Sequence, residues 1–255
     1  MSDDDEARSF AREHGHYTED LPFWREAARR LGSPVLDLGT AAGRVAIPLA
    51  RDGAEVWALD SSPAMLAELE RRLSAEGADV AARVHPVEGD MRRLDLGRRF
   101  RLVMIPMNTL QALVDAGDRL ACLRGARDHL EPGGELIFDV ALPDVAEIEE
   151  TIGLERPGGV HRDAESGITL IHSAWYDAWD AASGTLDFTL RVRERGGARR
   201  GREVLRRHHV HLFPPDELDA LLADAGLRPL QVAGDFDGAP VGPASERQVV
   251  RAVAA

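Results

Sequence analysis

Residues 35–50, Val35-Leu36-Asp37-Leu38-Gly39-Thr40-Ala41-Ala42-Gly43-Arg44-Val45-Ala46-Ile47-Pro48-Leu49-Ala50, read as one unit. Val35, Leu36 and Leu38 make the short apolar run of a strand covered on both faces. Asp37 interrupts that run near its end. Gly39 and Gly43 bracket a turn of small residues, after which Val45, Ala46, Ile47, Leu49 and Ala50 resume an apolar helical pattern. Such a strand–turn–helix lets a ligand lie against bare backbone, under the free N–H groups of the helix. A carboxylate at the strand end is placed to hold a cation or to accept hydrogen bonds from hydroxyls. The dinucleotide fingerprint Gly-x-Gly-x-x-Gly fails here at Ala41 and at Arg44. A phosphate-binding P-loop fails because the chain contains no lysine. The same turn also occurs in α/β proteins that bind nothing at it.

Outward from this unit the pattern repeats. Glu55-Val56-Trp57-Ala58-Leu59-Asp60 is a second strand ending in an acid, 17 residues after Gly43. A carboxylate there accepts from both hydroxyls of a ribose. Ser61-Ser62-Pro63-Ala64-Met65-Leu66 caps and opens a helix continued by Leu69 and Leu73. A third strand over 83–88 leads to Gly89-Asp90-Met91, and a fourth, from Phe100, exits through Ile105-Pro106-Met107-Asn108. A helix over 118–130 precedes Glu131-Pro132-Gly133-Gly134, a turn into a fifth strand ending at Val140. This alternation predicts a parallel sheet with ligands at the carboxyl ends of its strands. Upstream, residues 1 to about 12 read as disordered or weakly helical, and Phe23–Leu31 as a helix packed on the sheet. Downstream of Pro143, 168–179, 185–195 and 202–213 read as three strands in a row, with Gly196-Gly197 turning between the last two. Leu186, Phe188, Leu190 and Val192 alternate with polar residues, so this is an antiparallel insertion with one buried face. A helix ended by Gly226 and strands at 227–232 and 248–254 close the chain.

The stretches 37–43, 60–66, 89–91 and 131–140 together resemble the class I S-adenosylmethionine (SAM) methyltransferases, with Ala41 replacing the middle glycine of the family's acidic-x-Gly-x-Gly-x-Gly motif. The resemblance, of the small-molecule type, runs from about Tyr17 to the end. It implies an α/β fold: a doubly wound, seven-stranded, mostly parallel sheet with an antiparallel β lid. It implies three parts: an N-terminal cap over 1–33, a SAM-binding core over 34–145 and 213–255, and a substrate lid over 146–212. It implies a cofactor site in which Asp37, Gly39, Thr40, Ala41 and Gly43 shape the methionine and ribose loop. Asp60, Ser61 and Met65 serve the ribose side, Asp90 and Met91 frame the adenine, Pro106 and Met107 line the strand exit, and Tyr17 closes over the ligand. Asn108, Gln111 and Trp175 would contact the substrate; Asn108-Thr109-Leu110-Gln111-Ala112 resembles an Asn-Ser-Leu-Gln-His stretch of the family, with Ala112 where the histidine stands. The implied reaction is direct in-line displacement onto a nitrogen or oxygen nucleophile, leaving S-adenosylhomocysteine. A base serves if the nucleophile carries a proton, with His172, His208, His209 and His211 as candidates.

Composition narrows the partners. With 255 residues, a formal net charge of -13 and a pI near 5.1, the chain is a poor general partner for nucleic acid or anionic membrane. No apolar run is long enough to span a bilayer, and the acidic N-terminus is unlike a signal peptide. A cytoplasmic monomer or homodimer acting on a small molecule is expected. The lone Cys122 excludes an internal disulfide and a cysteine zinc cluster. The absence of lysine excludes Schiff-base chemistry. Ile-Pro-Met-Asn at 105–108 is unlike the Asp/Asn-Pro-Pro-Tyr of amino-methylating DNA enzymes, and no Pro-Cys nucleophile exists for cytosine C5. Between Arg191 and Arg207 stand eight arginines, Arg199 and Arg200 among them, which read as a charge-guarded hairpin edge or as a surface for an anionic substrate. His208-His209-x-His211 lacks a nearby acid or cysteine, so no metal site is expected there. The competing functions are an RNA or protein methyltransferase, a nucleotide-binding oxidoreductase, and a non-catalytic SAM-binding protein.

Overall fold

The computed structural model describes residues 3–163, 166–196 and 201–255. In chain order the elements are α1 Asp3–Gly15, α2 Leu21–Leu31, β1 Val35–Leu38, α3 Ala46–Arg51, β2 Val56–Asp60, α4 Pro63–Leu73, α5 Ala78–Ala81, β3 Val84–Glu88, β4 Phe100–Ile105, α6 Ala116–Asp128, β5 Leu130–Ala141, α7 Val145–Thr151, β6 Arg156–Arg162, β7 Thr169–Asp180, β8 Thr185–Arg195, β9 Glu203–His211, α8 Pro215–Asp224, β10 Leu227–Ala233 and β11 Arg247–Ala254. A 3₁₀ turn, Thr109–Ala112, follows β4.

Seven strands form one sheet in the order β10-β11-β5-β4-β1-β2-β3, parallel except where β11 pairs antiparallel with β5 and β10. The order reverses beside β1, so the β1 and β4 carboxyl ends diverge and leave a crevice there. All four residues of β1 are buried, as its apolar run requires. Leu36 and Leu38 face the side covered by α6 and α8, while Val35 faces α2, α3 and α4. Ser62 caps α4 by accepting from the Met65 N–H. No helix among the described residues is long and apolar enough to cross a membrane.

The antiparallel insertion is a second sheet, β6-β7-β8-β9. It holds four strands where the sequence reading expects three. The extra one, β6, is an edge strand whose Arg156-Pro157-Gly158-Gly159-Val160 carries no alternating pattern, and it pairs only with β7. Two further expectations change. The N-terminal segment is a helix of 13 residues, α1, held by ion pairs described below. The Pro132-Gly133-Gly134 run lies inside β5, where the register against β4 shifts between Phe100 and Leu102. Gly134 is required there, because a Cβ would meet the Phe100 carbonyl oxygen at 2.8 Å.

The second sheet lies across the crevice and is tied to α1. Arg206 on β9 donates to Glu13 at 2.7 Å and to Glu6 at 3.0 Å. Glu194 on β8, 2% exposed, accepts from Arg12 at 3.0 Å. Other hairpin arginines are paired as well: Arg191 with Glu155 and Glu203, and Arg193 with Glu203. Gly197, Arg199 and Arg200 lie outside the described residues.

Candidate active site

A cavity of about 420 Å³ opens at the carboxyl ends of β1 and β4. Its floor is Asp37, Gly39, Thr40 and Ala41 on one side and Pro106, Met107, Asn108 and Thr109 on the other. Phe10 and His14 of α1 close one flank, and Phe188, Leu190, His208 and Val210 of the second sheet form its roof.

The floor is built from unusual backbone. Gly39 has φ +72°, and a Cβ there would meet the Thr109 methyl at 2.5 Å. Only glycine lets the two turns approach this closely. Ala41 stands at φ 48°, the left-handed region that costs a side chain about 1–2 kcal/mol. Its N–H donates to Asp60 Oδ2 at 2.8 Å, which offsets that strain. The other Asp60 oxygen accepts from the Ser62 N–H at 2.9 Å, so this carboxylate holds both the glycine loop and the α4 cap. Across the floor, Met107 and Asn108 are also left-handed, at φ 62° and 58°. Asp139 of β5 accepts both their N–H groups, at 2.8 and 3.2 Å. Three consecutive-region outliers around one cavity mark a site whose surroundings dictate its shape.

Two floor carboxyls are buried. Asp37 is 1% exposed; Thr40 donates to its Oδ2 at 2.7 Å, while its Oδ1 is buried without a partner. Burial pushes its pKa up to about 7. Burial pushes Asp139 up to about 6. Both folded values lie above the ordinary 3.8, so between about pH 4 and 7 the folded chain holds protons that the unfolded chain has released. Stability therefore falls as pH rises through that window, by up to about 4 kcal/mol from Asp37. Urea unfolding at constant ionic strength from pH 4.5 to 7.5 measures it. Asp37→Asn should remove most of the slope, and an unchanged slope would refute the assignment.

Arg44 secures the loop from behind. It donates to both oxygens of Asp20, at 2.6 and 2.7 Å, and to the Tyr17 carbonyl at 3.0 Å. Asp20 is fully buried and also accepts from Trp24 Nε1 at 2.9 Å. The linker after α1 is thereby fixed against the turn that begins α3.

The structure brings most of the expected loop residues together and separates others. Asp37, Gly39, Thr40, Ala41, Pro106, Met107 and Asn108 line the cavity, and Gly43 and Asp60 support it. Tyr17 lies in an adjoining cavity of about 260 Å³ that shares Met107 and Asn108, its hydroxyl accepting from Arg247 at 2.8 Å. Ser61, Met65, Asp90 and Met91 do not line the central cavity. Met65 borders a groove beside α1. Met91 packs on the core, and Arg92 holds Asp90 at 2.6 Å and keeps its carboxyl below the usual range.

Five more of the expected residues lie outside the lining of the central cavity. Gln111 is 2% exposed; it donates to the His211 carbonyl at 3.0 Å and accepts from the Ala141 N–H at 2.8 Å. Trp175 is opposite Thr189, so the period of two turns it away from the roof residues Phe188 and Leu190. It donates instead to Asp177 at 2.8 Å. His209 points to the exposed face against Asp187, and His211 is held by Glu217 at 2.8 Å. His172 packs against His16 and His161 away from the cavity. Of the four candidate bases only His208 lines the cavity, with its ring stacked on Phe188 at 4.7 Å and its Nε2 buried without a hydrogen bond. Burial holds its pKa below the ordinary histidine value. Sequence reasoning missed His14, Phe10 and the Arg44–Asp20 pair. For Arg44 a signal existed: an arginine stands directly after the second loop glycine, where small residues surround it.

The geometry has counterparts. A methyltransferase domain family model matches residues 35–134. The cypemycin N-terminal methyltransferase of a Streptomyces species is 37% identical over 125 residues, covering 48% of each chain. The chain thus spans about half the length of that curated relative. The CcbJ methyltransferase of Streptomyces caelestis superimposes with a TM-score of 0.75 at 29% identity, over 92% of this chain and 95% of that one. The glycopeptide N-methyltransferase MtfA in complex with SAM superimposes with a TM-score of 0.61 at 26% identity, over 94% of this chain and 96% of that one.

Proposed function

The chain belongs to the class I SAM-dependent methyltransferases, with SAM as its cofactor, and from that premise we propose that it methylates an amine nitrogen of a small molecule held beneath the second sheet. The observation that carries the nitrogen is the roof: apolar Phe188, Leu190 and Val210 around a buried imidazole nitrogen with no partner.

The residues present fit the cofactor. The unpartnered, buried Oδ1 of Asp37 suits the cationic end of SAM, and an approaching cation draws Asp37 toward its ionised form. Gly39 leaves the backbone bare where a Cβ would fill the space. When bound, SAM supplies a methyl group on a sulfonium, a leaving group good enough that no covalent residue is needed.

The chain's own work is then to position, dry and deprotonate. Roof and α1 exclude water from the cavity. The apolar roof disfavours an ammonium and lowers the pKa of an entering amine. His208, neutral because burial lowers its own pKa, accepts the remaining proton at Nε2. Asn108, its backbone N–H held by Asp139, lines the floor where acceptor and methyl meet. A hydroxyl is a far weaker acid than an ammonium and asks more of a base than an imidazole gives. The name of the glycopeptide N-methyltransferase, and that of the cypemycin enzyme as an N-terminal methyltransferase, support the same choice. The reading also takes the chain as a monomer or homodimer acting in the cytoplasm without nucleic acid or membrane. The single buried Cys122, its thiol pushed up to about 12, suits a reducing compartment.

Incubation with SAM and size-matched amines and alcohols tests this by mass spectrometry. Amines should gain one CH₂ each, with S-adenosylhomocysteine formed in equal amount. Turnover of alcohols with inert amines would replace the nitrogen by oxygen.

A further inference from the structure

We propose that His16, His161 and His172 form a binding site for a divalent transition-metal ion, zinc being the natural fit, that pins the N-terminal cap to the second sheet. His16 follows the end of α1, His161 lies on β6 and His172 on β7. One ligand nitrogen from each lies within 4.8 Å of the other two. The rings of His16 and His161 stack at 3.5 Å, and that of His172 stands 5.3 Å from His161 and 5.7 Å from His16. His172 Nε2 is buried with no hydrogen-bond partner. A buried imidazole nitrogen left unsatisfied costs free energy unless something accepts its lone pair or its proton.

Three imidazoles gathered this closely repel one another when protonated, so the cluster favours neutral rings, the form that binds metal. Zinc takes nitrogen ligands at about 2.0–2.1 Å in a tetrahedron, which sets their nitrogens about 3.4 Å apart. Closing to that spacing from separations of up to 4.8 Å requires His16 to turn out of its stack on His161. His16 and His161 border a cavity of about 440 Å³ whose charged lining is Arg8, Arg12, Arg71, Arg72 and Arg162 with Glu68 and Asp163, which leaves room for a fourth ligand. That position takes water or a small anion. The ion does not touch the reacting atoms. His14, two residues from His16, lines the central cavity, so a metal at His16 bears on the cap that closes one flank of it.

The site is independent of methyl transfer and is tested without SAM. The full chain, purified without a histidine tag and stripped with a chelator, is titrated with Zn²⁺ and with Co²⁺. The expected result is one ion per chain, the visible absorption of four-coordinate Co²⁺, and a melting temperature raised by roughly 5–10 °C at zinc a hundredfold above its Kd. His161→Ala on the edge strand should lose the absorption and the thermal shift while its metal-free melting stays near the parent's. His172→Asn should lose both as well, and serves if the first variant does not fold. His209→Ala, on the exposed face, should keep both. Absence of the absorption in the parent, or its survival in His161→Ala or His172→Asn, overturns the proposal.

Discussion

Replacing Arg44 with leucine should lower the unfolding free energy by about 3–5 kcal/mol. The reason is what the substitution leaves behind. Asp20 is fully buried, and its two oxygens depend on Arg44 at 2.6 and 2.7 Å, with Trp24 as the remaining donor. Without the guanidinium a fully buried carboxyl keeps only Trp24 as a donor, beside the buried Asp37 and Asp139, and the Tyr17 carbonyl loses its donor too. Urea unfolding monitored by Trp fluorescence gives the value. The double variant Arg44→Leu with Asp20→Asn should recover a good part of the loss, because the orphaned charge is gone. A loss below about 1 kcal/mol in the single variant, or no recovery in the double, would show that the pair does not secure the loop.

His208→Gln should lower kcat by about 10²–10³-fold while SAM affinity changes little. His208 touches the roof of the acceptor space and has no role in the glycine loop. Its Nε2 has no hydrogen-bond partner, so the change removes only the stack on Phe188, and the stability cost should stay within about 1.5 kcal/mol. The pH profile separates a base from a packing residue. The base works in its neutral form, so kcat of the parent should rise with pH through a value below the ordinary histidine range, since burial lowers the His208 pKa. In His208→Gln that limb should vanish. A variant that keeps kcat within threefold, or keeps the limb, would pass the role to His14, whose pKa burial also lowers and which lines the same cavity.

The sheet was legible because its signals are local. A strand ending in Asp37, two loop glycines, a serine–proline helix start and an acid at the tip of β2 each follow from a few neighbouring residues. The same holds for the floor residues, which belong to those signals. What escaped depends on distant partners. α1 reads as an acidic, weakly helical tail until Arg206 and Glu194 supply its partners from the far end of the chain. β6 carries a proline and two glycines and exists because β7 offers it an edge. Gln111 and Trp175 lie off the cavity lining because type and motif do not reveal which way a side chain turns. In Gln111 the buried carbonyl of His211, 100 residues away, claims the amide. In Trp175 one step of strand register puts the indole on the opposite face.

The pairing of β11 with β5 has an evolutionary side. The seven-stranded sheet closes without any strand from 156–211, so that segment is a cassette that recombination could exchange for another roof while leaving the cofactor loop untouched. The ion pairs to α1 restrict the trade. A foreign roof lacking Arg206 and Glu194 would strand Glu13 and Arg12 in the old helix. A chimera given a new roof therefore has to carry a matching N-terminal helix with it.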